Sequence, residues 1–166
     1  MHELGLLNKN GFALDLGCGK GADSADLMSV GYTVISVDNE DHGCKDTLVS
    51  DIVSFPIYVD SYDIIICNNV LPFIAGKKNT ADILRKIVVG LKQDGIAWFT
   101  LYGYQSSFYP NDSMSFFTDD EVNDIVDELP VTFLEKSTML GIGKNERGET
   151  IMQDSYRFLV QKQTPR

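Results

Sequence analysis

Short apolar runs of strand length alternate along this chain with stretches whose apolar residues recur at helical spacing. Phe12 to Leu16 is brief and almost wholly apolar, the pattern of a strand covered on both faces. Ala22 to Val30 predicts a helix stopped by Gly31, the residue best suited to a left-handed cap. Tyr32 to Val37 predicts a second strand and Asp46 to Asp51 a short third. Tyr62 to Cys67, the strongest apolar run in the chain, predicts a fourth. Thr80 is then positioned to cap a helix that stacks Ile83, Leu84, Ile87, Val88 and Leu91 on one face. Asp94-Gly95 turns the chain into a fifth strand, Ile96 to Leu101. Thr118-Asp-Asp-Glu121 is a capping box with its acids at the positive end of the helix dipole. Val122, Ile125, Val126 and Leu129 form the buried stripe behind it, and Pro130 ends the helix. Val131 to Lys136 and Tyr156 to Gln161 predict two last strands, with a Gly- and charge-rich turn from Gly141 to Gly148 between them. Strands alternating with helices, without a repeat or a low-complexity linker, predict an α/β fold with a largely parallel sheet.

Length and charge narrow the function classes. At 166 residues the expectation is a single domain spanning 1–166, large enough for a continuous core. No apolar run approaches a membrane span, and the first residues lack the basic and apolar regions of a secretory signal. Cys18, Cys44 and Cys67 are odd in number and irregular in spacing, without a C-x-x-C pair, which suits reduced thiols in a cytoplasmic protein. No metal is expected. The net charge is −10, from 14 basic and 24 acidic residues, and the adjacent basic pairs Lys77-Lys78 and Arg85-Lys86 belong to one helix region. Without a basic stripe to displace counterions from phosphates, no nucleic-acid partner is expected.

The chemistry concentrates at Asp15-Leu-Gly-Cys-Gly-Lys-Gly21, between the first strand and the first helix. Glycine at 17, 19 and 21 permits positive φ and lets a ligand approach bare backbone. Asp38, at the tip of the second strand, can accept hydrogen bonds from both hydroxyls of a ribose. Together they predict a nucleoside-containing cofactor at the carboxyl ends of parallel strands. Dinucleotide sites use G-x-G-x-x-G, whereas the spacing here is G-x-G-x-G with an acid two residues before it. That acid would repel a pyrophosphate but suits a ligand carrying an ammonium or a sulfonium, which weakens a nicotinamide-dependent reading.

This pattern resembles the first motif of class I S-adenosylmethionine (SAM)-dependent methyltransferases, and the resemblance extends from Phe12 over nearly the whole chain. It implies a Rossmann-like, doubly wound, mostly parallel seven-stranded sheet with helices on both faces and a C-terminal antiparallel hairpin. By the same resemblance, Gly17, Cys18, Gly19 and Gly21 form the loop beneath the methionine part of SAM. Asp15 orders that loop and reaches the ammonium, and Asp38 holds the ribose. Asp51 accepts from the adenine amino group while Ile52 packs on its ring. Asn39 stands where many relatives carry an apolar residue against adenine. Asn68 opens the loop Asn68-Asn-Val-Leu-Pro-Phe73, which the family places near methionine and acceptor. That loop is not the Asn-Pro-Pro-aromatic motif of enzymes acting on nucleobase or glutamine nitrogen; it is similar to the corresponding loop of small-molecule enzymes, with Pro72 in place of a common histidine. The chain resembles the compact tellurite-resistance-like and generic methyltransferase-domain proteins.

Methyl transfer from a sulfonium is a one-step displacement, so in-line positioning supplies much of the acceleration. Only His2 and His42 are available as histidine bases, and neither falls near the acceptor side. The chain therefore favours an acceptor already nucleophilic at neutral pH, such as a thiolate, an amine or a soft anion. The aromatic loop Tyr102 to Pro110 follows the fifth strand at the same sheet edge. With Asn69 and Phe73, it offers Tyr102, Tyr104 and Phe108 as acceptor-site candidates. The expected function is methylation of a small molecule. Methylation of a protein or RNA partner and a noncatalytic SAM-fold binding module remain as alternatives. So few residues precede the first strand that the acceptor side is expected to be open, or closed by a second copy or a partner subunit.

Overall fold

The least interrupted apolar runs become the centre of one mixed sheet. The computed structural model describes residues 10–145 and 147–163. Strand β1 (Phe12–Leu16) leads into helix α1 (Ala22–Ser29), β2 (Thr33–Asp38), the two-residue β3 (Leu48–Val49) and β4 (Tyr62–Cys67). A single 3-10 turn at Leu71–Phe73 precedes α2 (Lys77–Gly90), β5 (Leu91–Gly103), β6 (Phe116–Phe117) and α3 (Asp119–Asp127). The described chain closes with β7 (Val131–Lys144) and β8 (Thr150–Lys162). The sheet order is β3-β2-β1-β4-β5-β8-β7, with β6 added beside the end of β5. All pairings are parallel except those of β8, which runs antiparallel to both β5 and β7. This is the doubly wound arrangement the sequence predicts, with a terminal hairpin and one additional short strand.

Each face of the sheet carries its own core. The larger packs Ile83, Leu84, Ile87 and Val88 of α2 and Val122 and Val126 of α3 against Leu14, Ile65, Phe99 and Phe158. Phe99 and Phe158 stack across β5 and β8 at 5.1 Å. The smaller core lies under α1, where Leu27 meets Ala13, Ile64, Ile66, Ile96 and Leu159. Among the described residues no helix is long and apolar enough to cross a membrane.

Several boundaries differ from expectation, each for a local reason. Thr80 is not a cap: α2 begins a turn earlier at Lys77 behind Gly76, whose φ of 89° suits glycine. Thr80 is fully buried inside that helix, and its hydroxyl has no hydrogen-bond partner among the described residues. The expected third strand shrinks to Leu48–Val49, because only those residues pair with Val37 and Asp38 of β2. The Asp94-Gly95 turn lies inside β5 as an irregularity, with Asp94 at φ 59°. The terminal hairpin is far longer than expected. Its strands stay paired out to Lys144 and Thr150, so the Gly141 end of the expected turn is strand.

The capping box forms as written. Thr118 Oγ1 accepts from the Glu121 amide at 3.3 Å, and the Glu121 carboxylate accepts from the Thr118 amide at 2.9 Å. Thr118→Ala leaves the Glu121 amide without its cap, and we expect a loss of about 1 kcal/mol. Urea unfolding followed by circular dichroism measures it; an unchanged midpoint would show that α3 is held by its packing alone.

Candidate functional site

Parallel strands deliver their following loops to one edge of the sheet, so β1, β2, β3, β4 and β5 each contribute a segment there. The loop after β1 is pinned first. The amides of Gly17 and Cys18 both donate to the Val37 carbonyl, at 2.7 and 3.0 Å, tying it to the neighbouring strand. The Gly19 amide donates to Asp38 Oδ2 at 2.8 Å. The three glycines are bare for three different reasons. At Gly17, with φ 73°, an added Cβ would meet Val70 at 2.1 Å. At Gly21, with φ 85°, it would meet the Cys44 sulfur at 2.6 Å. At Gly19, with φ 51°, it would meet nothing within 4 Å, because that face of the loop looks into open space.

The open space is a cavity of about 970 Å³. Gly17, Cys18, Gly19, Asp38, Asn39, Asp51, Ile52 and Asn68 all stand on its walls, as do Asn69 and Phe73 from the acceptor-site candidates. Neither Asp15 nor Gly21 does. Asp15 is 1% exposed and sits behind the loop, where Ser24 Oγ donates to its carboxylate at 2.5 Å and meets Ser36 Oγ at 2.7 Å. Burial pushes the Asp15 carboxyl up to about 6, against the lowering effect of the Ser24 hydrogen bond. Lys20, Asp23 and Asn79 also line the cavity, and no sequence signal marks Asp23 or Asn79 as site residues.

The other walls are held in place by side-chain contacts. Asn68 Oδ1 accepts from Thr100 Oγ1 at 3.1 Å and from the Trp98 ring N–H at 3.4 Å, while its amide donates to Asp23 at 3.4 Å. Asn69 takes a left-handed φ of 56°, which asparagine tolerates better than most residues, and accepts from the Tyr102 hydroxyl at 3.4 Å. Asp51 Oδ1 closes a local turn by accepting from the Val53 amide at 2.9 Å. His42 is exposed and lies 3.6 Å from Asp38, on the β2 side of the cavity; His2 lies outside the described residues. Cys18 is buried against Thr47, and burial pushes its thiol up to about 12, which favours the neutral form at pH 7.

The aromatic candidates divide. Phe73, Tyr102 and Phe108 form one cluster: Tyr102 and Phe108 stack at 5.9 Å, and Phe73 meets both edge-on. Tyr104 belongs elsewhere. Its ring packs on Tyr109 and Phe116, and its hydroxyl accepts from Lys77 at 3.0 Å. Residues two apart in an extended strand share a face, but the strand ends at Gly103, so Tyr104 leaves the face that Tyr102 occupies. Tyr102 and Phe108 line a second, narrow recess of about 70 Å³ that shares Asn69 with the main cavity. Residues 151–155 and Arg157 of β8 line it as well. The hairpin's part in this recess was not anticipated, since it depends on how far β8 runs alongside β5.

A family model described as "Methyltransferase domain" matches residues 14–99, more than half of the chain. No curated protein matches the sequence. Among solved structures, a SAM-dependent methyltransferase from Methanosarcina mazei superposes with a TM-score of 0.74 at 16% identity, over 96% of each chain. TehB from Haemophilus influenzae gives 0.76 at 22% identity, over 93% of this chain but 58% of its own. The 1,6-didemethyltoxoflavin-N1-methyltransferase of Burkholderia thailandensis, solved with 1,6-didemethyltoxoflavin and S-adenosylhomocysteine bound, gives 0.69 at 15% identity, over 94% of this chain and 72% of its own. With the glycine loop, the strand-end acids and this sheet order in place, the chain belongs to the methyltransferase domain family and is a SAM-dependent enzyme of the class I fold.

Proposed function

We propose that this protein, as one catalytic domain in the cytoplasm, transfers the methyl group of SAM to a small-molecule acceptor at the junction of the two cavities. The observation that carries the proposal is the wall residue Asn69, common to both cavities, which sets a cavity suited to an adenosyl amino acid beside an aromatic-walled recess. The donor site fits in volume and in charge. Asp23, Asp38 and Asp51 on its walls favour a cationic ligand, and the bare face of Gly19 leaves room for one. SAM supplies a methyl group made electrophilic by the sulfonium. The chain's residues bind and orient: Asp38 takes the ribose hydroxyls, Asp51 and Ile52 flank the adenine, and the Gly17 to Gly21 loop underlies the methionine portion. Asp15 acts from behind that loop as a buried negative charge.

Proton removal has no obvious agent among the described residues. Burial raises the Tyr102 phenol above its usual value, which keeps it protonated at neutral pH, and no described histidine lines either cavity. An acceptor that arrives nucleophilic suits such a site, since positioning then supplies most of what the displacement needs. The neutral Cys18 thiol does not compete for the methyl group.

Calorimetry with SAM, S-adenosylhomocysteine and NAD tests the donor half. SAM and S-adenosylhomocysteine are expected to bind and NAD to fail. Asp38→Ala should weaken SAM by about 1.5–3 kcal/mol, the scale of hydrogen bonds to a charged group. Unchanged affinity in the folded variant would remove Asp38 from the ribose. For the acceptor half, Phe108→Ala should keep SAM affinity within about threefold. It should lower turnover at least about tenfold on an acceptor found by screening for S-adenosylhomocysteine release, because a loosened acceptor loses its in-line geometry.

A further inference from the structure

Arg157 stands on β8 directly opposite Thr100 of β5, so its side chain leaves the sheet on the face that carries Tyr102. It lines the narrow recess beside Tyr102, Phe108 and Asn69. The chain has 24 carboxylate side chains for 14 basic ones, so a cation finds an anionic neighbour easily. Among the described residues no carboxylate comes within ion-pair distance of Arg157. One guanidinium nitrogen contacts the Met139 sulfur at 3.6 Å, a weak acceptor that leaves the rest of a five-donor fork unused. The other charged residue of the recess, Asp154, is already engaged: its Oδ2 accepts from the Gln105 amide at 2.8 Å.

A guanidinium that is half withdrawn from water, faces a cavity and lacks a protein anion is the arrangement that recognises a planar oxyanion through paired N–H donors. The recess has room for a head group and little more, whereas the main cavity holds the bulk of a ligand. The stacked Tyr102 and Phe108 rings, with Phe73 edge-on between the two cavities, present flat apolar walls between them. The acids are concentrated at the main cavity, where Asp23, Asp38 and Asp51 outnumber Lys20, whereas in the recess Arg157 faces the single acid Asp154. A negatively charged acceptor is therefore repelled from the donor end and drawn to the recess.

We infer that Arg157 is a specificity-determining residue that selects a small, flat acceptor bearing a carboxylate or equivalent oxyanion, whose anionic group enters the recess and whose nucleophilic atom stays on the main-cavity side of Asn69. The inference rests on the methyltransferase reading of the same site. Arg157 touches the acceptor's charged end and takes no part in bond making.

The test uses the full chain saturated with S-adenosylhomocysteine and two probes of equal shape, benzoate and its neutral isostere benzamide. Binding is followed by the NMR signals of the arginine side chains. Benzoate should shift the Arg157 signal and bind at least about tenfold more tightly than benzamide, the scale of a charge-assisted pair. Arg157→Gln should erase that preference. Arg157→Lys, which keeps the charge without the fork, should restore part of it. Equal binding of the two probes, no saturable binding of benzoate, or an undiminished preference in a folded Arg157→Gln protein would each overturn the inference. Calorimetry of the wild-type chain with SAM separates the two levels of failure. Absence of SAM binding sinks the methyltransferase reading itself, whereas SAM binding with indifference to probe charge sinks only the role of Arg157.

Discussion

Gly19→Val is expected to abolish SAM binding while leaving the fold standing. Gly19 sits at φ 51°, where a β-branched residue is strained by about 1–3 kcal/mol, and that alone disfavours the bound shape of the loop. The larger effect is steric. A Cβ at this position has nothing within 4 Å and points into the open cavity, so the isopropyl group would extend into the space proposed for the donor. The amide that donates to Asp38 is also carried on this residue, so a shift of the loop to relieve strain would cost that contact. We expect affinity to fall by about a hundredfold or more, which corresponds to roughly 3 kcal/mol. The melting temperature should change much less than it would for a core substitution. Gly19→Ala separates the causes, because it keeps the backbone strain and adds only one carbon. Near-normal SAM affinity for the valine variant, measured by calorimetry, would remove the loop from the donor site.

Asp15→Asn should act in opposite directions on stability and on binding. Burial holds the folded carboxyl at about 6, against an ordinary value of 3.8. Because the folded value is the raised one, the folded state binds the extra proton between these limits. The stability this confers is fully present below pH 3.8 and is lost as pH rises through about 6. At neutral pH the chain thus carries a buried charge that costs about 3 kcal/mol, at 1.36 kcal/mol for each unit of displacement. Asparagine removes the charge and still offers an oxygen to Ser24. The variant should melt about 5–10 °C higher than the wild type at neutral pH, with the gap closing toward about pH 4. Its affinity for cationic SAM should fall, since the negative charge behind the loop is gone. A gap independent of pH, or a variant less stable than wild type at neutral pH, would contradict this account of Asp15.

What the sequence made legible, and what it hid, follows from where each residue finds its partners. The bounds of Phe12–Leu16 and Tyr62–Cys67 are read directly because those strands are buried on both faces, and burial writes a run that is apolar except at Asp15 and Asp63. The Thr118 to Glu121 capping box is equally local and appears as written. The outer half of the hairpin is different. From Glu135 to Lys144 most residues of β7 are exposed and are held by backbone pairing to β8, so no burial pattern marks their extent. Thr80 looks like a cap because a β-branched hydroxyl ahead of an apolar stripe usually is one; Gly76 starts the helix earlier and leaves Thr80 inside. In the site, the glycine loop and Asp38 lie close in sequence and carry a spacing that can be recognised. Ser24, which holds Asp15, and Ser36, which holds Ser24, carry none. Tyr102 and Tyr104 look alike in one aromatic loop until the end of β5 sends them to different clusters. Arg157 becomes informative only through the carboxylate it lacks, a property no linear pattern contains.

The contact between Gly17 and Val70 links the glycine loop to the 68–73 loop through shared volume. Val70 fills the place where a side chain at 17 would begin, so the two positions behave as one steric unit although 53 positions separate them. Chimeras that exchange the 68–73 loop to alter specificity should therefore disturb the donor loop whenever the incoming residue at 70 differs in bulk from valine. A larger residue would press on the backbone at 17, and a smaller one would leave a void beneath it. On the proposed reading of the site, acceptor choice is not freely interchangeable, because residue 70 is constrained by the backbone at 17.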